Sequence, residues 1–313
     1  MSDWKIIVTD GLDGRGLEIL SKAAQVDERA GISLEELIKV ISDYDALIVH
    51  GQTRVNAEVF SAAVNLKVVG RAGVGVDNID LAAANLNKVT VVNSPNATTQ
   101  AVAEHVLALL FSLARSIPTA DWTMKSGLWH KKQFVGVEIK DKVLGIIGMG
   151  NIGSSLAQMS KSLGMQVIGY DPLIPDAEIE RRGANPVNIQ ELYVQSDFIS
   201  IHIPLNPETR GMINGGSFGT MKRGVRLICT ARGGIVDETA LLAALESGQV
   251  AGAALDVFTK EPPGMSALVS HPKVIATPHI GAQTTEAQAR AAVDIAREVL
   301  AALEGEPLRW KIV

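Results

Sequence analysis

An α/β protein with two parallel sheets, each covered on both faces by helices, is what this 313-residue chain predicts, and three observations predict it. Short apolar runs of strand length alternate with segments of helical periodicity up to about residue 92 and again from residue 143 onward, the pattern of βα units on a parallel sheet. One run enters a glycine-spaced turn, Gly148-x-Gly150-x-x-Gly153, that opens a helix. The length exceeds that of a usual single domain, so the two blocks of alternation read as two domains.

In the first block Trp4–Thr9 reads as a buried strand, followed by a helical stretch near Gly14–Ala24. Strands at Ala46–Val49, Lys67–Gly70 and Val89–Val92 then alternate with helices at Ser33–Ile41, Asn56–Ala63 and Leu81–Asn85, and Ser33 with Glu36 three residues on forms a capping-box pattern. Asn93–Thr99 has turn composition with Pro95 as a breaker, which places the first crossing between domains there. A long helix follows at Thr99–Arg115, apolar at Val102, Val106, Leu109, Leu110 and Leu113, with Glu104 and His105 near its start. After the glycine turn the alternation resumes with strands at Phe198–Ile203, Val225–Cys229 and Ala251–Leu255. An amphipathic helix at Thr284–Leu303 is expected to return to the first domain, which makes that domain discontinuous: 1–94 with 284–313, against 95–283.

The stretch from Lys142 to Asp171 organises the second domain. Val143–Ile147 is an apolar strand, and the residues from Ser154 to Leu163 carry Leu156, Ala157, Met159 and Leu163 at near-helical spacing. Of the three glycines, Gly148 permits a tight turn, Gly150 a close backbone approach to a pyrophosphate, and Gly153 close packing of helix on strand. The helix N-terminus offers N–H groups to phosphates. A second strand, Gln166–Tyr170, ends at Asp171, eighteen residues beyond Gly153, where a carboxylate accepts from a ribose 2′-OH and repels a 2′-phosphate. Strand, glycines, helix, strand and acid in that order predict a Rossmann-like dinucleotide site with NAD as cofactor. A glycine-rich turn without a ligand explains the glycines but not the aspartate.

Composition narrows the remaining classes. A formal net charge of −5 with scattered Lys and Arg gives no footprint for nucleic acid. No basic and apolar leader opens the chain and its longest apolar stretch, Val106–Ala114, is far short of a membrane span, so a cytoplasmic protein without a membrane partner is expected. The single cysteine, Cys229, lies in a strand-like run and fits a reducing compartment. One cysteine and no HExxH pattern leave no metal-ligand set, and no Gly-x-Ser-x-Gly nucleophile is present.

Loops after the strands of an open α/β sheet lie at its carboxyl edge, where ligands bind. Here they carry Arg232, Glu261 and His279. Reduction of a 2-oxo acid requires a cation for the carboxylate, an acid for the carbonyl oxygen and a group that tunes the acid. Arginine offers a planar fork that stays charged, histidine donates in one direction and accepts in the other, and a neighbouring carboxylate orients the ring and favours its cationic form. Each of the three alone also reads as an ordinary loop or surface residue; their combination with a dinucleotide unit favours the catalytic assignment. In the first domain Gly73-Val74-Gly75-Val76-Asp77 resembles a nest whose N–H groups would face a carboxylate, a tight turn being the plain reading.

With these residues in hand the chain resembles the D-isomer-specific 2-hydroxyacid dehydrogenases, over almost its whole length. The likeness rests on Arg71–Asp80, Asn93-Ser-Pro-Asn96, Gly148–Gly153, Ala231–Asp237, Leu255–Phe258 with Glu261-Pro, and Pro278-His-Ile-Gly281. It implies His279 as acid/base, Glu261 as its partner and Arg232 as carboxylate anchor. It places Val74, Asn151, Ile152, Asp171, Ile203, Pro204, Thr230, Ala231, Asp256, His279, Gly281 and Ala282 against the dinucleotide beside the three glycines. Val74 and Gly75 would present N–H groups to the substrate next to Gly73 and His50, with Asn96 at the hinge. The resemblance also implies a flavodoxin-like substrate domain and a homodimer built through the cofactor domain, with Thr99–Arg115 and the Trp122–Trp129 region embracing the partner.

The branch of the family that oxidises 3-phosphoglycerate matches best, so hydride exchange between C2 of that acid and NAD, leading toward serine, is the first expectation. Two departures stand out. His50-Gly51-Gln52 occupies the loop where that branch carries a phosphate-binding arginine, and Cys229 replaces a frequent asparagine. The first keeps open a hydroxypyruvate or glyoxylate reductase, or a dehydrogenase of another doubly anionic acid such as sulfolactate. A nicotinamide-sensing corepressor on the same fold is the alternative from a different class, whereas Glu261 argues against a formate dehydrogenase. With the chain stopping at Val313, no serine-sensing domain is expected.

Overall fold

The structure, a computed structural model, describes residues 3–313. Two units divide the chain, one running to Thr99 and resuming at Ala282, the other from Gln100 to Gly281.

The first unit is built from β1 (Lys5–Val8), α1 (Gly14–Ser21), β2 (Gln25–Glu28), α2 (Leu34–Val40), β3 (Ala46–Val49), α3 (Ala57–Ala62), β4 (Val68–Arg71), α4 (Leu81–Leu86) and β5 (Thr90–Asn93). Its strands pair in parallel in the order β2-β1-β3-β4-β5, the flavodoxin-like winding. Helix starts follow local chemistry: Asp13, Asn56 and Asp80 cap α1, α3 and α4 with their side chains, and Ser33 with Glu36 closes a capping box on α2. Leu37, Val59 and Phe60 cover one face of the sheet. The other face takes Leu20 from α1 together with Ile295, Ala296 and Val299, each large aliphatic side chain contributing about 1.5–3 kcal/mol through burial. Those last residues come from the chain's final helix, so the returning segment completes this unit's core.

The second unit continues with α5 (Thr99–Arg115), α6 (Ile117–Lys125), β6 (Val143–Ile147), α7 (Asn151–Ser162), β7 (Gln166–Tyr170), α8 (Asp176–Arg181), β8 (Asn185–Pro186), α9 (Ile189–Gln195), β9 (Phe198–Ile201), α10 (Gly215–Thr220), β10 (Val225–Cys229), α11 (Glu238–Glu246), β11 (Val250–Leu255) and β12 (Val274–Ala276); α12 (Thr285–Glu304) then returns to the first unit. The seven parallel strands run β12-β11-β10-β9-β6-β7-β8, so the winding reverses between β6 and β9. Ligands of doubly wound folds bind at the carboxyl ends of strands where the order reverses. Residues of α5 and α7 cover one face and residues of α9, α10 and α11 the other, the double winding expected from the alternation.

Several local outcomes differ from the periodicity. The strands β2, β8 and β12 were not expected, because two are polar or very short and all three lie at or next to a sheet edge, where no apolar run is required. Helix α7 begins at Asn151 rather than Ser154, inside the glycine motif, since Gly150 takes the cap position without a side-chain bond. Strand β9 ends at Ile201, leaving His202, Ile203 and Pro204 as loop. Among the described residues no single helix is long and apolar enough to cross a membrane.

Candidate active site

The glycine turn joins β6 to α7 at the reversal point. Gly148 has φ +94°, and a Cβ there would meet the His202 carbonyl oxygen at 2.7 Å and Ile203 at 2.9 Å. At Gly153 a Cβ would stand 2.1 Å from the Gly148 carbonyl oxygen, so the helix packs directly on the turn. Gly150 is different: a Cβ would meet nothing within 4 Å. The open side of the turn is therefore at Gly150, beside the first N–H groups of a helix that no side chain caps. Asp171, at the end of β7, accepts from Met149 N at 2.9 Å and from Leu173 N at 3.0 Å, which fixes its carboxylate next to the turn. Two further lone-pair sites suit it to accept from ribose hydroxyls.

Thr230 follows β10 and is 9% exposed, and its Oγ1 is buried without a hydrogen-bond partner. An orphaned hydroxyl at a carboxyl strand end, an open glycine turn and a fixed aspartate together fit a dinucleotide. Ala231 and Pro204 lie on the neighbouring loops, their carbonyls accepting from Arg232 Nη1 and Thr209 Oγ1. Asn151 and Ile152 form the first turn of α7. Val74 and Ala282 belong to the first unit.

Three loops at the carboxyl edge of the same sheet hold the expected acid, base and cation. Glu261 lies on the loop after β11; its Oε1 accepts from Phe258 N at 3.0 Å and its Oε2 sits 2.8 Å from His279 Nδ1. A carboxylate only accepts, so Nδ1 carries the proton and Nε2 is the nitrogen left for chemistry. Both side chains remain partly open to solvent, at 48% for His279 and 38% for Glu261. His279 itself has φ +55°, a left-handed conformation uncommon for a residue with a Cβ. Arg232 lies on the loop after β10, partly buried, with Nη1 donating to Ala231 O at 2.6 Å. A Cβ at the next residue, Gly233, would stand 1.9 Å from the Phe258 carbonyl oxygen, so the arginine loop and the Glu261 loop run against each other and only glycine fits between them.

Asp256 sits at the centre of this edge and is 1% exposed. Its carboxylate accepts from Thr277 Oγ1 at 2.6 Å, Ile280 N at 2.9 Å and Gly281 N at 2.8 Å. Burial pushes its carboxyl up, but the bonds from His105, Thr277, Ile280 and Gly281 outweigh that and hold it below the usual range. Among the described residues no group of three or more His, Cys, Asp or Glu is arranged to hold a metal.

In the first unit Ser94 N donates to Gly73 O at 2.9 Å and Asn93 Nδ2 to Val74 O at 2.7 Å, which fixes the turn containing Gly75. Asn96 is exposed, at the end of that unit's last strand loop. The His50 loop is held by Asp10, whose carboxylate accepts from the backbone N–H groups of His50 at 2.8 Å, Gln52 at 3.0 Å and Thr53 at 3.0 Å. Sequence reasoning gave no role to Arg71 at the end of β4. Its Nη2 lies 4.0 Å from where a Cβ of Gly51 would stand and its Nη1 fills the space a Cβ of Gly73 would need. A guanidinium therefore lies between Gly51 of the His50 loop and Gly73. The available signal was an arginine ending a buried strand directly before Ala-Gly-Val-Gly.

Comparison with known proteins agrees with this geometry. Residues 107–281 match the family described as D-isomer specific 2-hydroxyacid dehydrogenase, NAD binding domain. Over 305 residues the chain is 45% identical to a D-3-phosphoglycerate dehydrogenase of Synechocystis, covering 97% of this chain and 55% of that protein. It thus spans little more than half the length of the curated relatives it matches. The fold is similar to a glyoxylate reductase from Paecilomyes thermophila, with a TM-score of 0.90 and 30% identity over 100% of this chain and 99% of that one. It is also similar to a D-lactate dehydrogenase from Aquifex aeolicus complexed with NAD and lactic acid, with a TM-score of 0.83 and 27% identity over 96% of each chain. The matched segment contains the glycine turn, Arg232, Glu261 and His279. On sequence and winding alike, the chain belongs to the D-isomer specific 2-hydroxyacid dehydrogenase family.

Proposed function

We propose that this chain is an NAD-dependent D-2-hydroxyacid dehydrogenase that oxidises D-3-phosphoglycerate at C2 to 3-phosphohydroxypyruvate, a step toward serine. The observation that carries the reading is the Glu261–His279 pair, bonded at 2.8 Å with the histidine side chain 48% exposed, on the sheet edge that also bears the glycine turn. Bound NAD supplies the acceptor for the hydride that leaves C2. His279 Nε2 takes the hydroxyl proton in oxidation and returns it in reduction, while Glu261 stabilises the imidazolium and keeps Nδ1 protonated. Arg232 pairs with the substrate carboxylate through its planar fork. From the first unit we assign the N–H groups of Val74 and Gly75 to the substrate, with Gly73 shaping their turn and Asn96 acting at the hinge. To the phosphate we assign Arg71 and His50, Arg71 substituting for the arginine that His50 replaces.

Identity of 43–47% to phosphoglycerate dehydrogenases over nearly the whole chain supports that substrate. His50 in place of an arginine supports a second reading, reduction of a short 2-oxo acid such as glyoxylate or hydroxypyruvate, as does the likeness to a glyoxylate reductase. A panel of 3-phosphoglycerate, glycerate, lactate, malate and sulfolactate, with glyoxylate and hydroxypyruvate in the reverse direction, assayed with NAD(H) and NADP(H), tests both. The first reading expects the highest kcat/KM for 3-phosphoglycerate with NAD. Preference for glyoxylate selects the second, and NADP used as well as NAD contradicts the role of Asp171.

We further infer a cytoplasmic homodimer. Ile117, Trp122, Met124, Leu128 and Trp129 lie exposed on and after α6, with Trp122 at 66% and Trp129 at 75%, an apolar surface suited to a second copy. The lone thiol of Cys229 is buried, in keeping with a reducing compartment. Sedimentation of the wild type and of a Trp122→Glu, Trp129→Glu variant tests the assembly; a wild-type monomer contradicts it.

A further inference from the structure

His105 takes no part in the chemistry assigned above, yet it comes from α5 to lie against the loop that carries His279. Its side chain is 17% exposed, and Nε2 stands 3.3 Å from Thr277 Oγ1 and 3.5 Å from Asp256 Oδ1. The Thr277 hydroxyl donates its own proton to Asp256 at 2.6 Å, so its oxygen can only accept from the imidazole. The carboxylate likewise only accepts. Both neighbours therefore require Nε2 to carry a hydrogen, and the ring is locked in the Nε2–H form as their shared donor.

The groups so held bracket the catalytic histidine. Thr277 lies two residues before it; Ile280 N and Gly281 N, the two amides directly after it, both end on the Asp256 carboxylate at 2.9 and 2.8 Å. Between them His279 adopts φ +55°, which persists only where its surroundings over-determine it. The packing is close on this side: a Cβ on Gly281 would stand 3.1 Å from Asp256 Oδ2 and 3.6 Å from His105 Cδ2.

We propose that His105 is a positioning residue for His279, acting through Thr277 and Asp256 to hold the 277–281 loop in the conformation that presents the imidazole to Glu261 and substrate. The proposal rests on the dehydrogenase reading above for its effect on turnover, but its structural half stands on the protein without cofactor. A phenylalanine at 105 fills comparable space and donates nothing, whereas a glutamine restores an N–H donor.

The test compares wild type, His105→Phe and His105→Gln in two measurements. Amide hydrogen exchange on the cofactor-free protein is expected to quicken about tenfold at Ile280 and Gly281 in the Phe variant, with β9 and β10 amides unchanged. With saturating NAD, kcat for the best wild-type substrate is expected to fall about 10- to 100-fold with KM nearly unchanged, as for a mispositioned reacting group. The Gln variant should recover most of both. Wild-type exchange at 280 and 281 in the Phe variant, wild-type kcat in that variant, or a Gln variant as impaired as Phe would each overturn the proposal. A wild-type protein inactive on every 2-hydroxy acid would instead overturn the dehydrogenase reading, with the exchange measurement still deciding whether His105 holds the loop.

Discussion

Glu261 Oε2 lies 2.8 Å from His279 Nδ1 while the other oxygen of the same carboxylate accepts from Phe258 N at 3.0 Å. The carboxylate is thus tied to its own loop through one oxygen and to the histidine through the other, which orients the imidazole. Two roles meet in this carboxylate, orientation and charge. They separate in Glu261→Gln, whose amide oxygen still accepts from Nδ1–H but carries no charge to stabilise the imidazolium. The variant is expected to fold normally and bind NAD with wild-type affinity, with kcat lowered about 10²-fold; steady-state kinetics beside a fluorescence titration of NAD checks it.

The glycine turn makes a sharper prediction because its glycines face different surroundings. Gly150 faces open space and Gly153 faces the Gly148 carbonyl at 2.1 Å. Gly150→Val should therefore keep the wild-type Tm and lose NAD binding, the branched side chain standing where a pyrophosphate approaches. Gly153→Val should lose stability itself, by about 1–3 kcal/mol or more as for overpacking. Thermal melts with and without NAD distinguish them: NAD raises Tm in the wild type and leaves Gly150→Val unmoved.

A partly buried base makes the chain's stability acid-sensitive. His202, just past β9, bonds to Ser200 Oγ at 2.8 Å, and burial pushes its pKa down from 6.5 to about 4. The folded state keeps the ring neutral while the unfolded chain protonates it below about 6.5. Stability from this group is therefore complete above that pH and is lost as pH falls toward 4, by on the order of 3 kcal/mol in all. Urea unfolding of wild type and His202→Gln at pH 7.5 and pH 5 should show a smaller loss between the two pH values in the variant, although the variant starts less stable.

Much of the candidate site is legible in the sequence. Strand, glycines, helix and Asp171 follow one another within thirty residues, so local periodicity sufficed. Arg232, Glu261 and His279 could be placed on one edge because each lies on a loop that follows an apolar run of strand length, and parallel topology puts all such loops together. His105 could not be so placed, since it lies 172 residues from Thr277 and stands beside Glu104 near the start of a long helix, where spacing gives no hint of a partner. Arg71 was passed over for a related reason: its position at the end of β4 is visible in sequence, but the approach of its guanidinium to Gly51 and Gly73 is not. Short edge strands escaped too, as with Gln25–Glu28, whose polar residues satisfy backbone pairing without an apolar pattern.

The role proposed for His279 is to move the substrate proton in an NAD-dependent oxidation. Its most direct test is kcat of His279→Ala with 3-phosphoglycerate at saturating NAD, measured beside the NAD dissociation constant of the same protein. A loss of at least about 10³-fold in kcat with NAD affinity within a few fold of wild type is the predicted result. A variant that still produces NADH at a rate near that of the wild type would contradict the assignment.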